Sequence, residues 1–191
     1  MKLVIIDYGA GNVFSVKSAF ERLGIEVSIS SNKEEIITAD RVVFPGVGHA
    51  SAAMEKLRST GLDKLIPHLT QPVLGVCLGM QLMCDLTEEG NEEGLGIFDG
   101  LKVLRFNHAL NIPHMGWNNL LDSEGFLENI SEDVYFVHSY YVPISSYTIA
   151  SCQYGIEFSA ALQKDNFYAC QFHPEKSGKV GEEILKRFLT A

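Results

Sequence analysis

Residues 73–83 read VLGVCLGMQLM. A short apolar run leads into Cys77, Gly75 and Gly79 flank the cysteine, and apolar residues at helical spacing follow. The run before the cysteine has the length and bulk of a buried strand, and the pattern after it opens a helix. A nucleophile between two glycines, after a strand and before a helix, is the form of a nucleophile elbow. The glycines serve a steric need: the turn is sharp, and strand and helix pass too close for side chains at Gly75 and Gly79. Two consequences follow for Cys77. It stands at a helix N-terminus, where the helix dipole favours thiolate over thiol. The N–H of Leu78 has no acceptor within the helix and is free to donate to an oxyanion. The competing reading is a small core hydrophobe, the usual fate of a free cysteine. Cys84, expected on the same helix, and Cys152 and Cys170, in strand-like runs, lack the elbow and read as core.

Outward from the elbow, the first half of the chain alternates. KLVIID is an apolar run bounded by YGAGN, and a helical pattern covers Val13 to Leu23. EVSIS reads as a second strand, EEIITAD as a short helix, RVVFPGVG as a buried strand ending in a glycine turn, and Ala50 to Arg58 as a helix. Strands alternating with helices predict a mostly parallel central sheet with helices on both faces. Gly9, Gly11, Gly46, Gly48 and Gly79 mark the strand ends, where such sheets bind ligands. The second half changes character. Tyr135–His138, Tyr147–Gln153, Ile156–Ala161 and Phe167–Phe172 are short β-rich runs, and the turns QYGI and KDNF predict antiparallel strands added to the sheet. SGKVGEEILKRFL closes the chain as an amphipathic helix. No repeat or linker interrupts residues 1–191, which read as one domain.

Bulk properties bound the function. With 46% hydrophobic and 20% charged residues the composition is that of an ordinary globular chain. The net charge of -9, with no Lys/Arg cluster, argues against a nucleic-acid surface. No apolar run approaches the roughly 20 residues that span a bilayer, and the opening residues read as a strand and not as a leader. Four cysteines without a C-x-x-C pair read as reduced thiols of a cytoplasmic protein.

A thiolate nucleophile needs a base and something to orient it. His49, His68, His108 and His114 are expected in loops or helix ends with no carboxylate at a fixed spacing. His173 differs, because it ends a β-rich run in ACQFHPEKS. In extended chain, residues i and i+2 point to the same side, and Pro174 holds His173 extended. His173 and Glu175 are therefore aimed together, as a base with its carboxylate orienter. With the elbow this makes a Cys77–His173–Glu175 triad. A second oxyanion donor is expected from FPGVGHA, where Pro45–Gly46 reads as a tight turn and Val47–Gly48 as the segment that presents an N–H.

GVCLGMQ, PGVG and FHPEKS, in this order, resemble the class I, triad-type glutamine amidotransferases. IPHMGWN (residues 112–118), YFVHSYY (residues 135–141) and the opening IDYGAGN look like one branch of that family, the glutaminase subunits of imidazole glycerol phosphate synthase in histidine biosynthesis. The resemblance runs from Met1 to Ala191. It implies a flavodoxin-like fold. It implies a glutamine pocket of Gly48, Gln81, Glu89, Ser139 and Tyr140, although Glu88, Glu92 and Glu93 crowd the same loop as Glu89. It also implies that Asn12 and Lys176 face a partner. The implied reaction is hydrolysis of glutamine through a glutamyl thioester, with no metal or organic cofactor. The implied partner is a (β/α)₈ cyclase subunit that forms a heterodimer with the chain and receives the ammonia. An independent γ-glutamyl hydrolase and a catalytically silent binding module share parts of the pattern. The first has no use for PHMGWN, and the second has no use for an intact triad.

Overall fold

The computed structural model describes residues 1–9, 11–107 and 111–191; His108 lies outside them. The first half runs β1 (Leu3–Ile6), α1 (Val13–Arg22), β2 (Val27–Ser30), α2 (Lys33–Ile37), β3 (Arg41–Gly46), α3 (Ala50–Thr60), α4 (Leu62–Leu65), β4 (Val73–Cys77) and α5 (Leu78–Leu82). The second half runs β5 (Cys84–Thr87), β6 (Glu92–Glu93), β7 (Phe98–Arg105), β8 (His114–Asn119), β9 (Asp133–His138), β10 (Tyr140–Tyr141), β11 (Thr148–Tyr154), β12 (Ile156–Lys164), β13 (Phe167–Cys170) and α6 (Gly178–Phe188).

The central sheet has the order β11-β12-β13-β4-β3-β1-β2. From β13 to β2 every pairing is parallel, while β12 and β11 join antiparallel at the far edge. The predicted fold class therefore holds. Every residue of β1 and of β4 is buried, which is why both read as unbroken apolar runs and not as alternation. Alternate residues still divide between the faces. Leu3, Ile5, Val43, Leu74 and Val76 pack with Phe20 of α1, Phe136 of β9 and Phe188 of α6. Val4, Ile6, Val42, Phe44 and Val73 pack with Ile36 of α2, Met54 and Leu57 of α3, and Met80 and Leu82 of α5. Burial of these two layers is the main force holding the sheet in register.

Helix ends follow local chemistry. The Asn32 side chain accepts from the N–H groups of Glu34 and Glu35 at the start of α2, and Gly61 ends α3 in the left-handed region at φ 68°.

Three details correct the sequence reading. Cys84 is not on the elbow helix, because α5 stops at Leu82 and Cys84 begins β5. Pro45 and Gly46 do not form a turn; they are the last residues of β3 and pair with Val76 and Cys77 of β4. Proline is tolerated there because the strand is ending. His114 is on β8, not in a loop.

Beside the main sheet stand a four-stranded sheet of order β10-β7-β5-β6 and the β8-β9 hairpin. β4 and β3 end side by side at Cys77 and Gly46, and β13 ends three residues before His173. The C-terminal edge of the parallel strands thus gathers the predicted chemistry.

Candidate active site

Cys77 ends β4 and precedes the first residue of α5, with φ 54° and ψ -110°. A non-glycine residue in that region is strained by about 1–3 kcal/mol. The close packing of β3, β4 and α5 enforces it. A Cβ on Gly79 would lie 2.1 Å from the Phe44 carbonyl oxygen, one on Gly46 2.5 Å from the Gly79 nitrogen, and one on Gly75 2.8 Å from the Met83 sulfur. The turn places the cysteine at the cavity surface, 8% exposed. Its sulfur lies 3.7 Å from Gln171 Nε2, which donates to it, and 3.9 Å from the Val137 carbonyl oxygen.

His173 and Glu175 do meet, His173 Nδ1 lying 2.7 Å from Glu175 Oε1, but Glu175 stands in a turn and not in the extended chain that the spacing predicted. Pro174–Lys176 form a single 3₁₀ turn with His173 extended before it, at φ -103° and ψ 94°. Ser177 secures this corner, donating from its hydroxyl to the His173 carbonyl and accepting from the Tyr135 N–H. Both side chains are almost fully buried. Burial pushes the His173 pKa down, but its hydrogen bonds to Cys77 and Glu175 and their charges outweigh it and raise the imidazole to about 9. With Nδ1 committed to Glu175, Nε2 is the nitrogen that serves the sulfur.

Cys77 and His173 line a cavity of about 380 Å³ together with Val47, Gly48, Leu78, Gln81, Glu89, Ser139, Tyr140 and Lys176. That size suits a small amino acid-like ligand. The acidic loop resolves by geometry. Glu88 is tied to the Arg105 N–H and to Lys102. Glu92 pairs with Arg58. Glu93 is exposed and away from the cavity wall. Glu89 alone of the four faces the cavity, with Oε2 accepting from the Ala50 N–H at the start of α3. Asn12 is not in the wall; it caps α1 by accepting from the Ser15 N–H. Gly48 takes φ 96°, a turn that favours glycine. The Tyr8 hydroxyl donates to the Pro45 carbonyl, fixing the end of β3 just before this segment.

The cavity wall also contains Pro113, Val137 and His138, and Gln171 touches the sulfur behind it; the sequence reading singled out none of these. For Gln171 a signal was available. It stands two residues before the extended His173, so the two side chains are aimed to one side of the chain ahead of the 3₁₀ turn.

Residues 4–191 match the family described as glutamine amidotransferase class-I. The chain is 55% identical over 197 residues to the imidazole glycerol phosphate synthase subunit HisH of Bacteroides fragilis (strain YCH46), covering 99% of each. It is 47% identical over 194 residues to the subunit of the same name from Escherichia coli (strain K12), again covering 99% of each. A solved glutamine amidotransferase superposes with a TM-score of 0.77 at 19% identity, covering 98% of this chain and 97% of that one. PurLQS from Thermotoga maritima superposes with a TM-score of 0.70 at 17% identity, covering 99% and 97%. At such identities these two structures speak for the fold alone.

Proposed function

The chain belongs to the class I glutamine amidotransferases and, among them, to the HisH subunits of imidazole glycerol phosphate synthase, and from that premise we propose how its cavity takes ammonia from glutamine. It is a glutaminase of histidine biosynthesis. The observation that carries the mechanism is the elbow cysteine facing a buried imidazole whose other nitrogen is held by a carboxylate at 2.7 Å.

Cys77, as thiolate, attacks the carboxamide carbon of glutamine. The carbonyl electrons move to oxygen, which the Leu78 N–H and an N–H of the Val47–Gly48 segment receive. His173, protonated, gives its Nε2 proton to the departing nitrogen, and ammonia leaves. Water, deprotonated by the now neutral His173, then adds to the thioester. The C–S bond breaks, its electron pair returns to sulfur, and glutamate departs. Glu175 fixes the imidazole tautomer and supports its cationic form. Gln81, Ser139 and Tyr140 contact the substrate, and Glu89 receives its α-ammonium group. No metal or organic cofactor takes part in these steps.

Ammonia released into water is protonated and loses its nucleophilicity, so it must pass directly to an acceptor. The partner we infer is a (β/α)₈ cyclase subunit. It docks where the cavity opens, beside Lys176 and the exposed Met115 and Trp117 of β8, with Asn12 near the contact. Lys176 lies over the Tyr135 ring, 6.0 Å from its centroid, and Tyr135 packs against Trp117. The four free thiols fit a reducing cytoplasm, and no helix among the described residues is long and apolar enough to cross a membrane.

The test is a His173→Ala chain mixed with the cyclase. Product is expected with an ammonium salt at high pH and not with glutamine. Equal failure with both nitrogen sources contradicts a triad whose only task is to release ammonia.

A further inference from the structure

We infer that Gln171 is a further working residue of this site, a fixed N–H donor that holds the Cys77 sulfur as an anion. The inference rests on the reading of Cys77 as the nucleophile. Gln171 follows β13, is completely buried, and is anchored by its own N–H to the Ala160 carbonyl at 2.8 Å. Its side-chain oxygen accepts from Gln81 Nε2 at 2.9 Å, and its side-chain nitrogen donates to the Cys77 sulfur at 3.7 Å.

A carboxamide has two possible orientations, and the neighbours decide between them. Gln81 Nε2 also donates to the Tyr140 carbonyl oxygen at 3.1 Å. A carbonyl only accepts, so Gln81 must present its nitrogen there. The second hydrogen of that same nitrogen goes to Gln171, which must answer with its oxygen. Only the N–H₂ end of Gln171 then remains for the sulfur. The Tyr140 carbonyl is held in turn by His138 Nδ1 at 2.6 Å, and His138 Nε2 faces His114 Nδ1 at 3.0 Å. Burial keeps both rings neutral, lowering His138 to about 3 and His114 to about 4. With its Nδ1–H given to Tyr140, His138 accepts at Nε2 from the His114 N–H. Every group from His114 to the sulfur thus has one orientation: His138 and Gln81 both donate to the Tyr140 carbonyl, and from Gln81 the donation passes through Gln171 and ends at Cys77.

A satisfied buried network of this kind is rigid. A donor placed on the anionic form favours that form. The same N–H meets the electron pair that returns to sulfur when the thioester breaks, so Gln171 serves both the attack and the release of glutamate.

The experiment uses the natural chain, Gln171→Met and Gln171→Glu, each bound to the cyclase. Glutamate release, alkylation of Cys77 by iodoacetamide and thermal unfolding are measured, with alkylation referred to the folded fraction. Methionine keeps the volume and lacks the N–H. It is expected to lower kcat and the alkylation rate together by about tenfold, with KM little changed. Glutamic acid keeps the shape and the acceptor for Gln81, but it can donate to sulfur only while protonated. Its activity is expected to fall as pH rises through the range where the natural chain keeps its own. Natural alkylation rates and a natural pH profile in both variants overturn the role of Gln171. If Cys77→Ala still releases glutamate at the natural rate, the nucleophile reading fails first and this inference falls with it. The two failures are therefore told apart.

Discussion

The Cys77 backbone is held at φ 54° with the residue 8% exposed, and the imidazole beside it is raised to about 9. The two facts belong together. The strained turn brings the sulfur to His173, and the hydrogen bond and charge of that sulfur, with those of Glu175, lift the imidazole against its burial. A protonated His173 at neutral pH is the acid that the proposed mechanism requires for the departing ammonia. Removing the sulfur therefore has a readout at the other residue. In Cys77→Ala the burial penalty remains and only Glu175 opposes it, so the His173 pKa is expected to fall, as followed by titration of the ring resonances. A pKa that stays near 9 assigns the raised value to Glu175 alone. The sign also sets the rate profile. The acid form is present below about 9 and lost above it, so glutamate release by the complex should decline as pH passes that value. Cys77→Ala itself should abolish glutamate release while leaving the fold intact. A glutamine analogue carrying an electrophile should label Cys77 and spare the buried Cys84, Cys152 and Cys170. These residues were legible because short-range chemistry fixes them: glycines around a turn, and a histidine and a carboxylate separated only by Pro174, which the 3₁₀ turn after His173 brings together. Ser139 and Tyr140 are not of this kind. They reach the cavity from beyond β9, and nothing in their own neighbourhood says so; only family likeness pointed to them. His138 was missed for the same reason.

At the scale of elements, the site depends on how closely α5 approaches β3. Gly79 lies against the Phe44 carbonyl oxygen and Gly46 against the Gly79 nitrogen, both nearer than any side-chain carbon allows. A Gly79→Ala chain must push α5 off β3, which moves Leu78 and Cys77 relative to Val47. The expected result is loss of stability of about 1–3 kcal/mol, together with a larger loss of glutamate release than stability alone explains. Denaturant unfolding and steady-state rates on one preparation measure both. Normal activity in a well-folded Gly79→Ala contradicts the close approach. The strands of the main sheet were readable because burial on both faces leaves an apolar run, as in β1 and β4. The stretch from Cys84 to Asn119 was not. β7 carries exposed Asp99 and Gly100, β6 is two residues long, and β8 alternates exposed and less exposed residues with a glycine inside it. Those strands are defined by what they pair with, and a pairing partner distant in sequence leaves no local period.

At the scale of the whole molecule, a glutaminase whose ammonia is used elsewhere should act only when an acceptor is present. The two oxyanion donors proposed for it differ in how firmly they are held. The Leu78 N–H belongs to α5, locked against β3 by Gly79, and is always in place. The Val47–Gly48 segment lies just past the last pairing of β3, Val47 is 40% exposed, and Gly48 takes φ 96°. Gly46 is held in the sheet, but Gly48, with open space around it, lets the Val47–Gly48 peptide rotate at little steric cost. Such a segment can hold its N–H away from the cavity and turn it inward when a docked partner favours that orientation. One missing oxyanion donor costs about 10²–10³ in rate. The isolated chain is therefore expected to be a poor glutaminase, and the cyclase with its nucleotide ligand bound should raise glutamate release by about 10²-fold or more. The measurement compares the chain alone, the chain with cyclase, and the chain with cyclase and ligand. Full activity in the first condition contradicts the switched segment and returns the chain to an independent hydrolase. A Gly48→Ala substitution separates the segment from the docking surface. It strains the left-handed turn but adds a Cβ that meets nothing within 4 Å. Activation should therefore weaken while the cyclase still binds, and a variant that is activated normally places the switch elsewhere than Val47–Gly48.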